Sequence, residues 1–262
     1  MNGGEVGFIG GGRIVSALLY RLTTCCWPLR GLCVSDADVT VRTSLLSRFS
    51  DLEVVRDNAV PASRRYVFLA LHPKDVDQTL AEIAPHLKED AVLVSLVPSV
   101  TFAHLQALLG GFGRLARLMA NAPSAVGAGY NPVCFAEGLG RKDREELQGL
   151  FSCFGAHPTV PESTLEGYTM LTALGPTYFW FQWQLLRELG HGFGLGAAET
   201  DAGLSAMLDG ARRLMFDSGF GPDEVRELSS LTPLADAEPA IVASYRRELS
   251  ALFAQFREAA KK

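Results

Sequence analysis

The 262-residue sequence predicts an α/β domain built on a parallel sheet, followed by an all-helical domain. Three observations carry this. Short β-branched or apolar runs alternate with helical patterns up to about residue 155, as they do when helices cover a parallel sheet. The run Tyr66-Val67-Phe68-Leu69-Ala70-Leu71 is apolar throughout, as a strand covered on both faces must be; a strand with one wet face alternates. Beyond Phe154, the turn residues Gly155, Pro158, Pro161 and Ser163 interrupt the pattern, and after them the apolar positions recur at helical spacing.

Taken in order, strands are expected at Glu5–Ile9, Gly31–Val34, Glu53–Val55, Tyr66–Leu71, Ala91–Leu96, Arg114–Met119 and Pro132–Ala136. Helices are expected between them at Arg13–Leu22, Val39–Phe49, Lys74–His86, Phe102–Leu109 and Lys142–Phe151. Further on, Leu204, Met207, Leu208, Ala211, Leu214 and Met215 mark one helical face, and Ile241, Tyr245, Leu249, Leu252, Phe253 and Phe256 another. The boundary falls at the turn residues, giving domains 1–157 and 158–262. A helical domain this small is expected to bury its apolar face against a second copy, making a homodimer or larger homo-oligomer.

Composition excludes several classes. Apolar residues make up 48% and charged residues 20%, an ordinary globular mixture. The net charge of -5 supplies no positive field for nucleic acid or an anionic membrane, so neither is expected as a partner. Five cysteines, with no Cys-x-x-Cys and no histidine at zinc-ligand spacing, argue against a metal site or a disulfide scaffold. The start lacks a basic segment, apolar stretch and cleavage site, and no apolar run approaches the ~20 residues of a membrane span. A soluble, cytoplasmic protein is expected.

The first strand ends in Gly7-Phe8-Ile9-Gly10-Gly11-Gly12-Arg13-Ile14-Val15 and opens the first helix. Gly10 permits the tight turn, Gly12 lets backbone approach a pyrophosphate, and the helix start offers unpaired N–H groups. Strand, glycine turn, helix and second strand together make a Rossmann-type dinucleotide site, with Ile9, Gly10, Gly12, Arg13 and Ile14 as expected contacts. Val15 stands where a small residue is usual, which sets helix and strand farther apart. The second strand runs out at Ser35 and Asp36, where a carboxylate hydrogen-bonds a ribose 2′-hydroxyl and repels a 2′-phosphate. The same acid also reads as a helix cap, and Arg42 lies close enough to meet a phosphate, so NADH and NADPH both stay open.

Three further stretches resemble the pyrroline-5-carboxylate reductase family. Phe68-Leu69-Ala70-Leu71-His72-Pro73 is similar to that family's Phe-Leu-Ala-Val-Lys-Pro beside the cofactor, with His72 in place of lysine. Arg117-Leu118-Met119-Ala120-Asn121-Ala122-Pro123, with Val126-Gly127-Ala128-Gly129, resembles the Arg-x-Met-Pro-Asn-Thr-Pro block and its Gly-Ala-Gly. Leu171-Thr172-Ala173-Leu174-Gly175-Pro176-Thr177-Tyr178 is similar to Ser-Gly-Ser-Gly-Pro-Ala-Tyr. The resemblance implies a Rossmann domain, an intertwined helical dimerisation domain, and hydride transfer from NADPH or NADH to a cyclic imine. It assigns Leu71, His72, Pro73 and Asn121 to the cofactor and Thr172 and Gly175 to the substrate; Asn58 is a further ribose candidate. His72 reads equally as a proton donor or a hydrogen-bonded spacer, and Asn121 as a turn residue before Pro123.

Where the family has Ser-Pro-Gly-Gly-Thr-Thr, this chain has Ser229-Ser230-Leu231-Thr232-Pro233-Leu234-Ala235-Asp236. Ser230 and Thr232 remain as hydroxyl donors for catalysis and substrate binding, or as helix caps; Asp236 would repel a substrate carboxylate nearby. The aromatic group Tyr178, Phe179, Trp180, Phe181 and Trp183 reads as a pocket lining or as core and interface. Three functions follow: reduction of pyrroline-5-carboxylate, a related oxidoreductase acting on another imine or a carbonyl, or a catalytically impaired dinucleotide-binding homologue.

Overall fold

The computed structural model describes residues 5–260. Its sheet is built from β1 (Val6–Ile9), β2 (Cys33–Ser35), β3 (Glu53–Val55), β4 (Tyr66–Leu69), β5 (Val92–Ser95), β6 (Leu115–Leu118) and β8 (Val133–Phe135), a two-residue β7 (Gly129–Tyr130) preceding the last. Helices α1 (Arg13–Thr24), α2 (Val39–Arg48), α3 (Ala59–Ala62), α4 (Val76–Ile83), α5 (Phe102–Leu108) and α6 (Arg141–Phe151) complete this part. The strand order is β3-β2-β1-β4-β5-β6-β8. Every pairing from β3 to β6 is parallel, so chain reversal on either side of β1 opens a crevice at its C-terminal end.

The sheet departs from the expected all-parallel arrangement at one edge, where β8 runs antiparallel to β6. The return from β6 to β8 contains the Ala122–Val126 turn and β7 but no α-helix to carry the chain back along the sheet for a parallel crossover. The expected helix Lys74–His86 contains 3₁₀ turns at Pro73–Asp75 and Ala84–His86 flanking α4, because Pro73 and Pro85 cannot donate within a helix.

Burial on both sheet faces explains the strand composition. Phe8 and Phe68 point into one apolar cluster with Leu18, Leu22 and Phe151. Their neighbours Ile9, Val67 and Leu69 point into the other, with Val76, Leu80 and Leu105. Val15 is fully buried in the first cluster, so its bulk goes into the α1–sheet contact.

The chain divides into two compact units, 1–174 with 252–262, and 175–251. The first thus continues past the expected 157/158 boundary. β9 (Gly155–Ala156) pairs with β7, Thr159 bridges to Val133, and Leu165 of α7 (Leu165–Tyr168) packs on Met119 and Cys134. A π turn at Thr169–Ala173 ends this stretch. The second unit holds α8 (Thr177–Gly192), α9 (Ala197–Asp217), α10 (Pro222–Glu227) and most of α11 (Glu238–Ala259). α8 and α9 approach where a Cβ on Gly190 would touch Thr200, both residues being buried. Arg187 fastens the same pair through a two-pronged ion pair to Asp201, at 2.6 and 3.0 Å. No helix among the described residues is long and apolar enough to cross a membrane.

Candidate functional site

The glycine turn leaves β1 with most of its own backbone groups taken. Ala70 N–H donates to the Ile9 carbonyl and Gly10 N–H to the Ser35 carbonyl, both at 2.8 Å, and Gly11 N–H donates to Asp36 Oδ2 at 2.8 Å. Gly10 has φ +94°, and a Cβ there would collide with the Ala70 carbonyl. Glycine is therefore required by both backbone and space.

Two features at the start of α1 fit a dinucleotide pyrophosphate. Gly12, the N-cap, supplies no side-chain acceptor, so the N–H groups of Arg13, Ile14 and Val15 have no carbonyl behind them and no cap in front. α2 and α5 differ: Asp38 accepts from Thr40 N–H and Thr101 from His104 N–H. The second feature is room, since a Cβ on Gly12 would meet nothing within 4 Å. A cavity of about 860 Å³ opens beside the turn, lined by Gly11, Gly12, Arg13, Ser16, Tyr20, Thr40, Val41, Ser44 and Arg48 among others. These donors and this space suit an anionic group carried on a larger ligand.

The expected ribose residues are engaged with one another. Asp36 accepts Asp38 N–H at 2.8 Å as well as Gly11 N–H, so its carboxylate braces the turn. Ser35, fully buried, donates to Asn58 Oδ1 at 2.7 Å, and Asn58 Nδ2 donates to Glu82 at 3.3 Å. Arg42 donates to the carbonyls of Asp36 and Ala37, at 2.8 and 2.9 Å. The Asp38 carboxyl lies below its ordinary range because the Thr40 hydroxyl and backbone N–H both donate to it.

Leu71 packs against the second apolar cluster, and its Cδ2 lies beside Gly10. His72 is exposed and caps the Pro73–Asp75 turn, Lys74 N–H reaching its Nδ1 at 3.4 Å. That is the spacer arrangement.

Asn121 and Thr172, far apart in sequence, are brought together: Asn121 Nδ2 donates to the Thr172 carbonyl at 3.0 Å. The Thr172 hydroxyl is already donated to the Tyr168 carbonyl at 2.9 Å, within the π turn. Asn131 was not anticipated. Its Oδ1 accepts Asn121 N–H at 3.0 Å and the Ser124 hydroxyl at 2.9 Å, while its Nδ2 donates to Phe154 O at 3.3 Å. All of Asn121, Ser124 and Asn131 are buried, so this network fixes the loop after β6. The available signal was a polar residue set between Tyr130 and Pro132 ahead of an apolar strand. The cavity residues Ser16, Tyr20 and Arg48 carried no motif.

A second buried constellation stands behind that loop. Arg117, wholly buried, donates to Glu162 Oε1 and Glu166 Oε1 at 2.8 Å each. Those two carboxylates accept Phe102 N–H at 2.7 Å and Ser99 N–H at 3.2 Å, holding the loop after β5, where Ser99 has φ +65°.

In the second unit, Gly175 is buried and its carbonyl accepts Tyr178 N–H at 3.0 Å at the start of α8. Ser230 and Thr232 are exposed and lie in the segment between α10 and α11. Ser229 donates to the Leu231 carbonyl at 3.0 Å, and Leu231 and Leu234 are left 77% and 68% exposed.

Comparison with known proteins matches this architecture. The family model described as NADP oxidoreductase coenzyme F420-dependent matches residues 5–99, which hold β1 to β5 and the glycine turn. The pyrroline-5-carboxylate reductase of Mycobacterium tuberculosis is 30% identical over 237 residues, covering 86% of this chain and 79% of that one. The chain belongs to the pyrroline-5-carboxylate reductase family. Solved structures agree on the fold. The pyrroline-5-carboxylate reductase of Streptococcus pyogenes superposes with a TM-score of 0.75 at 18% identity, covering 98% of each chain. The Plasmodium falciparum pyrroline carboxylate reductase, solved with NADP bound, gives 0.74 at 18% identity, covering 98% of this chain and 95% of that one.

Proposed function

We propose that this protein is an NAD(P)H-dependent reductase that converts pyrroline-5-carboxylate to proline. One observation carries the reading: an uncapped, unobstructed helix start at Gly12 lies in a chain 30% identical to a named reductase of that imine. The reduced nicotinamide, when bound, supplies the hydride.

The chain's own residues bind and orient. N–H groups of Arg13 and Ile14 meet the pyrophosphate, while Ile9, Gly10 and Gly12 shape the cradle. Asp36 serves the adenosine ribose, with Ser35 and Asn58 buttressing the end of β2 from beneath. Leu71, His72 and Pro73 border the crevice beside the turn. Asn121, held by Asn131 and tied to the Thr172 carbonyl, fixes the loop at the end of β6. Holding two reacting carbons in an aligned pose is worth several orders of magnitude, and rigid loops serve that end. For the substrate, Thr172 and Gly175 offer backbone groups and Ser230 and Thr232 offer hydroxyls, the last two being the catalytic candidates. The substrate imine can carry its own proton.

The protein acts as a homodimer or a larger homo-oligomer joined through the helical unit. What supports this is exposed apolar surface: Phe179, Trp180 and Phe181 of α8 are 44%, 46% and 66% exposed, and Phe216 and Phe220 are similarly uncovered. A cytoplasmic location follows from the same reading. Purified protein given pyrroline-5-carboxylate and either reduced nicotinamide should oxidise the nicotinamide and release proline in equal amount. Tight cofactor binding without proline formation would favour the reading of a different imine or carbonyl substrate, for which the altered Ser229–Asp236 segment speaks.

A further inference from the structure

Cys25 ends α1, and its backbone N–H donates to the Arg21 carbonyl at 3.0 Å. Cys153 lies in the single turn Ser152–Phe154 that follows α6. Arg21 ties the two segments together, its Nε donating to the Cys153 carbonyl at 2.7 Å. Both cysteines pack against the same apolar cluster, both are free and only partly covered, the Cys25 thiol donates to the Leu22 carbonyl at 3.5 Å, and the two thiols are near enough to act on each other. The remaining cysteines are placed differently. Cys33 and Cys134 are buried, and burial pushes their thiols up to about 11 and about 12. Cys26 is exposed, with φ +60°, and its backbone N–H donates to the Thr23 carbonyl.

We propose that Cys25 and Cys153 form a reversible disulfide, a redox modification site that fastens the end of α1 to the segment following α6. The site is independent of the reductase reading. Its oxidant is a low-molecular-weight disulfide. The Cys25 thiolate attacks one sulfur of that disulfide, which breaks the sulfur–sulfur bond, releases one small thiolate and leaves a mixed disulfide on Cys25. Cys153 then gives up its proton, its sulfur bonds to that of Cys25, and the second small thiolate leaves. Two protein thiols lose two electrons and two protons, and the small disulfide gains both to become two thiols.

Burial and the adjoining Cys25 thiol push the Cys153 thiol up to about 11. This assigns the attack to Cys25 and the resolving step to Cys153. The bond closes a long loop containing most of the sheet, which restrains the unfolded chain.

The test incubates the full-length protein with excess oxidised glutathione, blocks remaining thiols by alkylation, and maps peptides without reduction. The expected product lacks two hydrogens, yields a Cys25–Cys153 linked peptide that reductant abolishes, and melts several degrees higher than the reduced protein. Cys26→Ser should keep the link, and Cys25→Ser and Cys153→Ser should lose it. Recovery of both cysteines alkylated, stable glutathione adducts on either, or a link made through Cys26 instead would overturn the proposal. Because the decisive map uses the unsubstituted chain, a variant that fails to fold leaves the result readable.

Discussion

Two adjacent glycines separate folding from binding. At Gly10, a Cβ collides with the Ala70 carbonyl on a left-handed backbone; at Gly12 it enters open space on an extended one. Gly10→Ala should therefore cost about 3 kcal/mol, combining backbone strain with overpacking, visible as a lower urea midpoint. Gly12→Val should leave the melting temperature within a few degrees yet weaken NADPH binding by at least about tenfold, measured by titration. Equal binding by Gly12→Val and the unsubstituted protein would contradict the placement of the pyrophosphate. Asp36 governs coenzyme choice at the same scale. Its carboxylate stands at the end of β2, so Asp36→Asn should raise the ratio of NADPH to NADH efficiency, measured as kcat/KM for each. These residues were legible because a turn leaves a chemical signature in glycines and an acid. Asn131, Glu162 and Glu166 were not, since a buried polar partner is defined by what the fold places opposite it.

At the scale of elements, the expected strands and most of the expected helices fell within a residue or two of their places, because covered strands are continuously apolar; α4 stops three residues early, and the short elements α3, β7, β9 and α7 were not anticipated. Pairing direction was less legible. β8 is as apolar as its parallel neighbours, and it runs antiparallel to β6 after a return that holds no α-helix. The turn residues at 155–163 mark a change of secondary structure, while Leu165 and Glu166 still anchor the segment after them to the sheet. Glu166→Ala should leave the buried Arg117 charge half-paired and cost about 3–5 kcal/mol in urea unfolding, whereas a surface pair would cost under about 1.

The α6–β4 contact carries a pH signature. Tyr66 donates its hydroxyl to Glu146, which holds the Glu146 carboxyl below its usual range and, with burial, raises the tyrosine. A depressed acid contributes stability above its unfolded pKa and loses it as pH falls through the folded value. A raised tyrosine contributes below its unfolded pKa and loses it in alkali. Tyr66→Phe should thus be less stable by about 1 kcal/mol at neutral pH, with the gap narrowing in acid. A gap independent of pH would assign the difference to packing alone.

For the whole molecule, the division of labour follows from where apolar surface is covered. The sheet unit buries its strands on both faces; the helical unit leaves Leu185, Leu189, Phe216 and Phe220 uncovered and buries few residues of its own. Light scattering at micromolar concentration should therefore report a dimer or larger species, and a monomer would leave that surface without a function. The helical periodicity of the second half was readable, but the expectation of a second copy as its partner came from the small size of the domain, because an apolar stripe has the same pattern whether it faces its own chain or a copy. The measurement that bears most directly on the account is proline formation by the purified protein from pyrroline-5-carboxylate and NADPH or NADH, run beside Gly12→Val. The account predicts turnover that the substitution lowers at limiting coenzyme while the protein stays folded. Proline formation unchanged by Gly12→Val, or none from the unsubstituted protein with either coenzyme, would contradict it.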